Sequence, residues 1–210
     1  MNAESVQRQG QQSRFVKLQG LMVLGVVIVL MAAAYLMYET GIGVPTSTVN
    51  HGELLTPAHS IKPLELVDDN SGEVLNLFKG KKKWRILIPG RASCNQACQQ
   101  TLYLTRQVTI RLAEKSQRVE RIYLNFDVGL DSELEGLLAT EYPGVKKLRV
   151  SFEQWKQWIK PTNGPADPVA SNTFFVVDQE GFVMMFYTPK HSGNEVLSDL
   201  KRLLKYSYEG

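Results

Sequence analysis

Two cysteines, Cys94 and Cys98, are separated by three residues and are the only cysteines among the 210 residues. Residues four positions apart on a helix share one face, with Cα atoms about 6 Å apart, which is within disulfide range. The pair could therefore close into a disulfide or hold a metal ion between two thiolates. In the first turn of a helix, the positive end of the helix dipole lowers the pKa of a thiol, and Arg91 would act in the same direction.

The residues on either side of the cysteines predict the elements that hold them. Trp84 to Ile88 predicts a buried strand, Pro89-Gly90 predicts a turn, and a helix is predicted from about Cys94 to Ala113. That placement favours redox or metal chemistry for the pair. A permanent structural disulfide is the alternative, although so short a loop restricts the unfolded chain too little to stabilise the fold by much.

The N-terminal part of the chain predicts a membrane anchor. Residues 1–19 are polar and predict a short disordered cytoplasmic tail, whereas residues 20–38 carry no charge and are long enough to span a bilayer as a transmembrane helix. Basic residues precede the apolar run. The positive-inside rule therefore predicts a single-pass protein of the inner (cytoplasmic) membrane, with its N-terminus in the cytoplasm and its domain in the periplasm.

A cleaved signal peptide is the alternative to the anchor, because Ala32-Ala33-Ala34 has the small residues of a cleavage site. The apolar run continues past these alanines through Met37, which favours an uncleaved anchor. In either case the domain is exported, so the cysteines are expected to face an oxidising compartment.

The rest of the chain predicts one α/β domain. Residues 39–62 contain Gly, Pro, Ser and Thr with little periodicity and predict a linker, and residues 63–210 predict the domain. Its other predicted strands are Leu64–Val67, Val74–Leu77, Val119–Phe126, Lys147–Val150, Asn172–Val177 and Phe182–Tyr187, and its other predicted helices are Ser132–Tyr142, Ser151–Ile159 and Asn194–Tyr206. With cysteines at the start of a helix after a central strand, this pattern predicts a thioredoxin-like fold, a central mixed sheet flanked by helices.

Charge argues against one class of partner. The formal net charge is +3, and the N-terminal tail carries most of it, so the remainder of the chain is close to neutral. A near-neutral domain gives no electrostatic basis for binding nucleic acid, which is not expected as a partner.

Several segments together resemble the Sco/SenC family over about Leu64 to Tyr206. They are LELVDDNSGEVLNL, the C-x3-C pair after a central strand, Asp127 at the end of the next strand, and FFVVDQEGFVMMFY. Members of that family are membrane-anchored thioredoxin-like domains that deliver copper to, or reduce, the copper site of cytochrome c oxidase. The resemblance implies an assembly factor for a respiratory oxidase, with an oxidase subunit or another assembly factor as its partner. Cys94 and Cys98 would either cycle between dithiol and disulfide or transiently carry Cu(I).

The chain departs from the family pattern at two positions. The family's second cysteine is usually followed by proline, where this chain has Gln99, and the family's copper-binding histidine falls at Ala170. The family's three-ligand copper site therefore does not carry over, although two thiolates still suit Cu(I). His191 is the auxiliary candidate that could replace the histidine if its loop folded back toward the cysteines, and a surface histidine is the alternative.

Asp127 is a second auxiliary candidate, because a carboxylate at the carboxyl end of a strand could orient a ligand or a thiol proton. A turn-capping aspartate is the alternative. Two other functions also remain open at this point. One is a general thiol-disulfide oxidoreductase, although dedicated enzymes use C-x2-C. The other is a non-catalytic thioredoxin-fold protein that binds a partner and has a structural disulfide.

Overall fold

The computed structural model describes the backbone of residues 3–40 and 49–207, and the side chains of residues 19–40 and 49–207. The chain divides into two compact units, Met1–Val49 and Asn50–Gly210. The predicted linker lies partly outside the described residues, because residues 41–48 are not among them.

The first unit contains one long helix, α1 (Ala3–Thr40). Its segment Gln19–Thr40 is long and apolar enough to cross a membrane, and none of that segment is buried. A signal sequence near the N-terminus has the same properties. The prediction of a disordered tail is wrong where the backbone is described, because α1 already begins at Ala3. The apolar run supplies a stable helix, and adding residues to an existing helix is much less costly than nucleating one.

The second unit is built on a mixed β-sheet. Its strands are β1 (Glu53–Ser60), β2 (Val67–Asp68), β3 (Trp84–Gly90), β4 (Val119–Asn125), β5 (Val145–Arg149), β6 (Phe174–Val177) and β7 (Phe182–Tyr187). Within the described part of this unit they form one sheet in the order β1-β7-β6-β3-β4-β5-β2. The strands β3, β4 and β5 run parallel, and the other neighbours pair antiparallel. The carboxyl ends of the three parallel strands therefore meet at one edge of the sheet.

Helices cover both faces of this sheet. They are α2 (Gln96–Arg111), a 3-10 helix (Ala113–Arg118), α3 (Ser132–Glu141), α4 (Phe152–Ile159) and α5 (Gly193–Tyr206). Alternate strand residues enter two cores: Ile86 and Ile88 pack with α2, α3 and α5, whereas Leu87 packs with α4 and β1. This burial on both faces explains why the central strands are mostly apolar, although β3 contains the buried Arg85 and β4 contains Glu120 and Arg121. The mixed sheet flanked by helices, predicted from the sequence, is confirmed.

The strand β1 lies inside the predicted linker, residues 39–62, and corrects that assignment. It pairs antiparallel with β7 at the edge of the sheet, with Glu53 opposite Phe186 and Ser60 opposite Phe182. Only Leu55 of the strand is buried. An edge strand with one buried side chain has almost no apolar periodicity, so its pairing with a distant strand could not be read from its own residues.

The predicted pair of strands around Asp69 is also shorter than expected. Only Val67–Asp68 forms a regular strand, and it pairs with β5. The second predicted strand contributes a single bridge, between Val74 and Val67. The Asp68 carboxylate accepts hydrogen bonds from the backbone of Asn70 and Ser71, which closes the turn locally.

Candidate active site

A disulfide joins Cys94 and Cys98, with 5.3 Å between their Cα atoms. The helix α2 begins two residues later than predicted because Asn95 caps it, its side chain accepting a hydrogen bond from the Cys98 backbone N–H at 3.0 Å. Cys94 therefore lies just before the helix and Cys98 is its third residue. The two sulfurs span the start of the helix and do not share a helical face as the spacing suggested.

The first turn of α2 provides a polar environment for the pair. Among the described residues, the backbone N–H groups of Gln96 and Ala97 have no hydrogen-bond acceptor. The first turn of α2 contains no acidic residue. Unsatisfied N–H groups and the helix dipole favour an anionic sulfur at a helix N-terminus.

Tyr123 of β4 lies beneath the cysteine loop. Its side chain is fully buried, and its hydroxyl donates a hydrogen bond to the Arg91 carbonyl oxygen at 2.7 Å. The Tyr123 hydroxyl oxygen lies 4.0 Å from Cys98 Sγ. Gly90 permits this approach, because a Cβ at that position would lie 2.0 Å from the Tyr123 hydroxyl oxygen. Burial raises the pKa of the Tyr123 phenol well above its ordinary value, so the hydroxyl is neutral.

Asp127 holds the backbone that leads to Cys94. Its carboxylate accepts a hydrogen bond from the Ala92 backbone N–H at 2.9 Å and pairs with Arg91 Nη1 at 3.3 Å. The Arg91 guanidinium also stacks over the Phe152 ring, 4.4 Å from its centroid. The contacts of Asp127 are thus to the loop, so the turn-stabilising alternative describes its geometry better than a direct role in proton transfer.

His191 lies beside the site but in a separate cavity. Its Nδ1 accepts a hydrogen bond from the Thr188 backbone N–H at 3.0 Å, and its ring meets the Tyr187 ring edge-on. The cavity of about 130 Å³ that contains His191 and the cavity of about 130 Å³ next to Cys98 share Thr101 and Asn172 as lining residues. The candidate ligands His191 and Cys98 therefore line neighbouring cavities.

The donor set does not provide a three-ligand metal site. Across the residues that the structure describes, no three side chains of His, Cys, Asp or Glu are grouped where they could hold a metal ion. The exposed Ala170 belongs to the loop before β6, and its neighbours Val169 and Asn172 line the cavity beside Cys98. The position at which the Sco/SenC family has its histidine thus adjoins the site but supplies only a methyl group.

Two residues of the site, Tyr123 and Asn95, are not among the site residues that the sequence predicts. The sequence predicts only a buried strand at Tyr123, and the signal for its role is that a buried tyrosine usually needs a partner for its hydroxyl. Asn95 is a favoured N-cap residue, so it could have placed the helix start correctly. Their contacts with Arg91 and Cys98 define the geometry around the second sulfur.

Solved Sco proteins share the fold of this chain. Apo Sco1 from Thermus thermophilus matches with a TM-score of 0.57 and 21% identity, covering 76% of this chain and 99% of that chain. Copper-bound yeast Sco1 matches with a TM-score of 0.54 and 16% identity, covering 77% and 97%. BsSco, described as a member of the Sco family of cytochrome c oxidase assembly proteins that contains a disulfide switch, matches with a TM-score of 0.54 and 14% identity, covering 77% and 100%.

These matches confirm the predicted thioredoxin-like fold and the structural similarity to Sco/SenC proteins. No curated protein sequence is significantly similar to the chain. A family model, described as "Transmembrane-like, thioredoxin-like, C-terminal domain", matches residues 84–207, from the start of β3 to one residue past the end of α5. That match covers more than half of the chain and includes the disulfide. The chain therefore belongs to the transmembrane-like, thioredoxin-like C-terminal domain family.

Proposed function

We propose that this protein is a membrane-anchored thiol-disulfide protein that assists the assembly of a respiratory cytochrome oxidase through the Cys94–Cys98 pair. The observation that carries the proposal is the disulfide itself, which lies where a central parallel strand ends and a helix begins, next to a cavity. The similarity in fold to BsSco, named as a cytochrome c oxidase assembly protein, supports oxidase assembly as the process in which this protein acts. Redox exchange needs no residue beyond the two sulfurs.

The reaction passes two electrons from the reduced pair to a partner disulfide. The Cys94 thiolate attacks one partner sulfur, the partner S–S bond breaks, and the released partner thiolate takes a proton from solvent. Cys98 then loses its proton and attacks Cys94 Sγ, which forms the Cys94–Cys98 disulfide and releases the second partner thiolate to be protonated. Cys94 acts first because it lies outside the helix, whereas Cys98 packs against Tyr123.

Copper enters this proposal only through the two sulfurs. Yeast Sco1 has been solved with copper bound, but the described residues of this chain bring no third ligand to the pair. We therefore derive no step through copper. Two-coordinate carriage of Cu(I) by the reduced thiols is the alternative for the same site, and it too requires a disulfide that can be reduced.

The proposed location is the periplasmic face of the inner membrane, with α1 as the anchor. The length and apolar character of Gln19–Thr40 support this placement, as do the basic residues before it. Whole cells are treated first with a membrane-permeant reductant and then with a membrane-impermeant maleimide. The maleimide is expected to label Cys94 and Cys98. A protein labelled only after cell lysis would contradict this topology, and cytoplasmic and periplasmic marker proteins with a free cysteine serve as controls.

The reduction potential of the disulfide tests the redox function. Equilibration of the detergent-solubilised full-length protein with thiol buffers, followed by thiol trapping, is expected to give a value above about −300 mV, as for labile, working pairs. A value below that limit would indicate a structural disulfide and contradict the proposal. The oxidase assignment fails separately if a Cys94→Ser/Cys98→Ser double variant restores oxidase content in a deletion strain as fully as the wild type does.

A further inference from the structure

A groove follows the exposed face of α2 away from the cysteine loop. Its volume is about 550 Å³, and its lining includes Tyr142, the C-cap of α3, and Gly193, the first residue of α5. Glutamines at spacings that share one helical face line it: Gln96, Gln99, Gln100 and Gln107. The Gln99 side chain donates a hydrogen bond to the Cys94 carbonyl oxygen at 3.4 Å, so the groove begins at the disulfide.

The composition of the groove is that of a protein-binding surface. Its lining includes Tyr103, which is 58% exposed, together with Tyr142 and Arg111. Among the described residues, no lysine, aspartate or glutamate lines it. Protein interfaces are enriched in tyrosine and arginine and depleted in those three residue types. The groove therefore fits a protein partner better than a lipid surface, which clusters of basic residues bind.

The charge along the groove is positive and only partly paired. The helix α2 contains two arginines and no acidic residue. Arg111 donates a hydrogen bond to the neutral side chain of Asn194 at 2.9 Å. Arg106 lies over the Tyr142 ring, 5.7 Å from its centroid, and pairs with Glu141 at 3.7 Å. A negatively charged occupant is therefore favoured.

Arg121 of β4 adds a cation that has no acidic partner within the described chain. Its Nη1 atom is buried there without a hydrogen-bond acceptor. Burial, and then the nearby charge of Arg106, lower the pKa of the Arg121 guanidinium, and Tyr142 is the other ionisable group that acts on it. An arginine remains charged in a protein even so. A half-buried cation without a counter-ion thus lies beside Tyr142 at the wall of the groove.

We propose that this groove docks an acidic segment of the partner protein, with a partner carboxylate pairing with Arg106 and Arg121. The proposal rests on the proposed redox function for the identity of the partner, because a segment bound here would hold a partner disulfide close to Cys94. The tyrosines contact the apolar atoms of the segment, and the glutamine amides form hydrogen bonds with its backbone. Docking therefore selects partners by charge before the sulfurs exchange.

A dye-labelled peptide of eight glutamates is the probe for this charge. Fluorescence anisotropy measures its binding to the full-length protein in neutral detergent, and Arg106→Gln is expected to raise the Kd about threefold to tenfold. Lys81→Gln is the matched control, because Lys81 is an exposed cation in the segment before β3. Equal weakening in the two variants, or equally tight binding of a peptide of eight lysines, would overturn the proposal.

Arg121→Met separates docking from a structural role of this side chain. The change keeps an apolar stem and removes the charge, so it is expected to weaken binding of the glutamate peptide as Arg106→Gln does. Removal of an unpaired, half-buried charge should leave the Tm unchanged or raise it by up to about 4 °C. A lower Tm would show that the guanidinium is paired within the domain and would overturn its place in the proposal.

The covalent complex with the partner distinguishes failure of docking from failure of the redox function. In membranes from cells with the Cys98→Ser variant, Arg106→Gln is expected to reduce the mixed disulfide at least about threefold, and Lys81→Gln is not. An undiminished adduct would overturn docking and leave the redox function standing, as would an adduct made of two copies of this chain. Absence of any adduct in Cys98→Ser would count against the redox function instead, and the peptide measurement would still decide the charge of the groove.

Discussion

The Cys98→Ser variant is expected to accumulate a mixed disulfide between Cys94 and its partner protein. In the wild type, Cys98 resolves this intermediate by attacking Cys94 Sγ, which lies within bonding distance in the structure. Serine cannot perform that step, so the covalent complex persists. Non-reducing electrophoresis of membranes, with blotting for this protein, should show a slower band that reductant removes and that is more than about tenfold stronger than in the wild type.

The reciprocal variant is the matched control for this experiment. Cys94→Ser leaves only the sulfur that packs against Tyr123, so we expect little or no adduct. Equal adducts in the two variants would show that either sulfur can attack and would contradict the proposed order. A protein that forms no adduct in either variant would favour the non-catalytic alternative, in which the disulfide is structural.

The second large effect, a loss of stability, is expected on substitution of Asp199, a buried carboxylate far from the cysteines in the sequence. Its Oδ2 accepts hydrogen bonds from the backbone N–H groups of His51 and Gly52, each at 2.9 Å, and from the Tyr187 hydroxyl at 3.1 Å. Gly52 must be glycine here, because a Cβ would lie 2.6 Å from the Tyr187 ring. This carboxylate thus fixes the chain immediately before β1 against α5.

Replacing Asp199 by alanine leaves the backbone N–H groups of His51 and Gly52 without their acceptor, whereas the Tyr187 hydroxyl still has the Met185 sulfur within 2.9 Å. We expect Asp199→Ala to lower the free energy of unfolding by about 3–5 kcal/mol, since each orphaned buried donor costs about 1–3 kcal/mol. That is a large part of the stability of an ordinary domain. Urea denaturation followed by tryptophan fluorescence would measure the loss, because Trp84, Trp155 and Trp158 are all buried.

Ser198→Ala is the control for this measurement, because Ser198 is the exposed neighbour of Asp199 on the same helix. A change at such a site is expected to alter stability by less than about 0.5 kcal/mol. Asp199→Asn keeps one carbonyl acceptor, so its loss in free energy of unfolding should lie between those of Ser198→Ala and Asp199→Ala. A loss below about 1 kcal/mol in Asp199→Ala would show that water replaces the carboxylate, and that the hydrogen bonds contribute little to stability.

Local sequence signals were sufficient for the parts of the fold that depend on neighbouring residues. The apolar run after residue 19 predicts a helix able to cross a membrane, since its length and lack of charge are properties of that segment alone. Likewise, the segment Trp84–Ile88 predicts a central strand, because burial on both faces favours apolar residues and four of its five residues are apolar, the exception being the buried Arg85. The place of the cysteines, between a strand end and a helix start, follows from these signals.

Tertiary contacts decided what the local signals leave open. The strand β1 exists because β7 offers it a sheet edge and Asp199 holds the residues before it, contacts that join positions more than 100 residues apart. The same is true of the site. The C-x3-C spacing by itself determined that two sulfurs could meet, but the fold placed Tyr123 below only one of them and put His191 in a neighbouring cavity. Packing between distant elements therefore makes the two chemically equal cysteines unequal, and no spacing rule within the sequence contains that information.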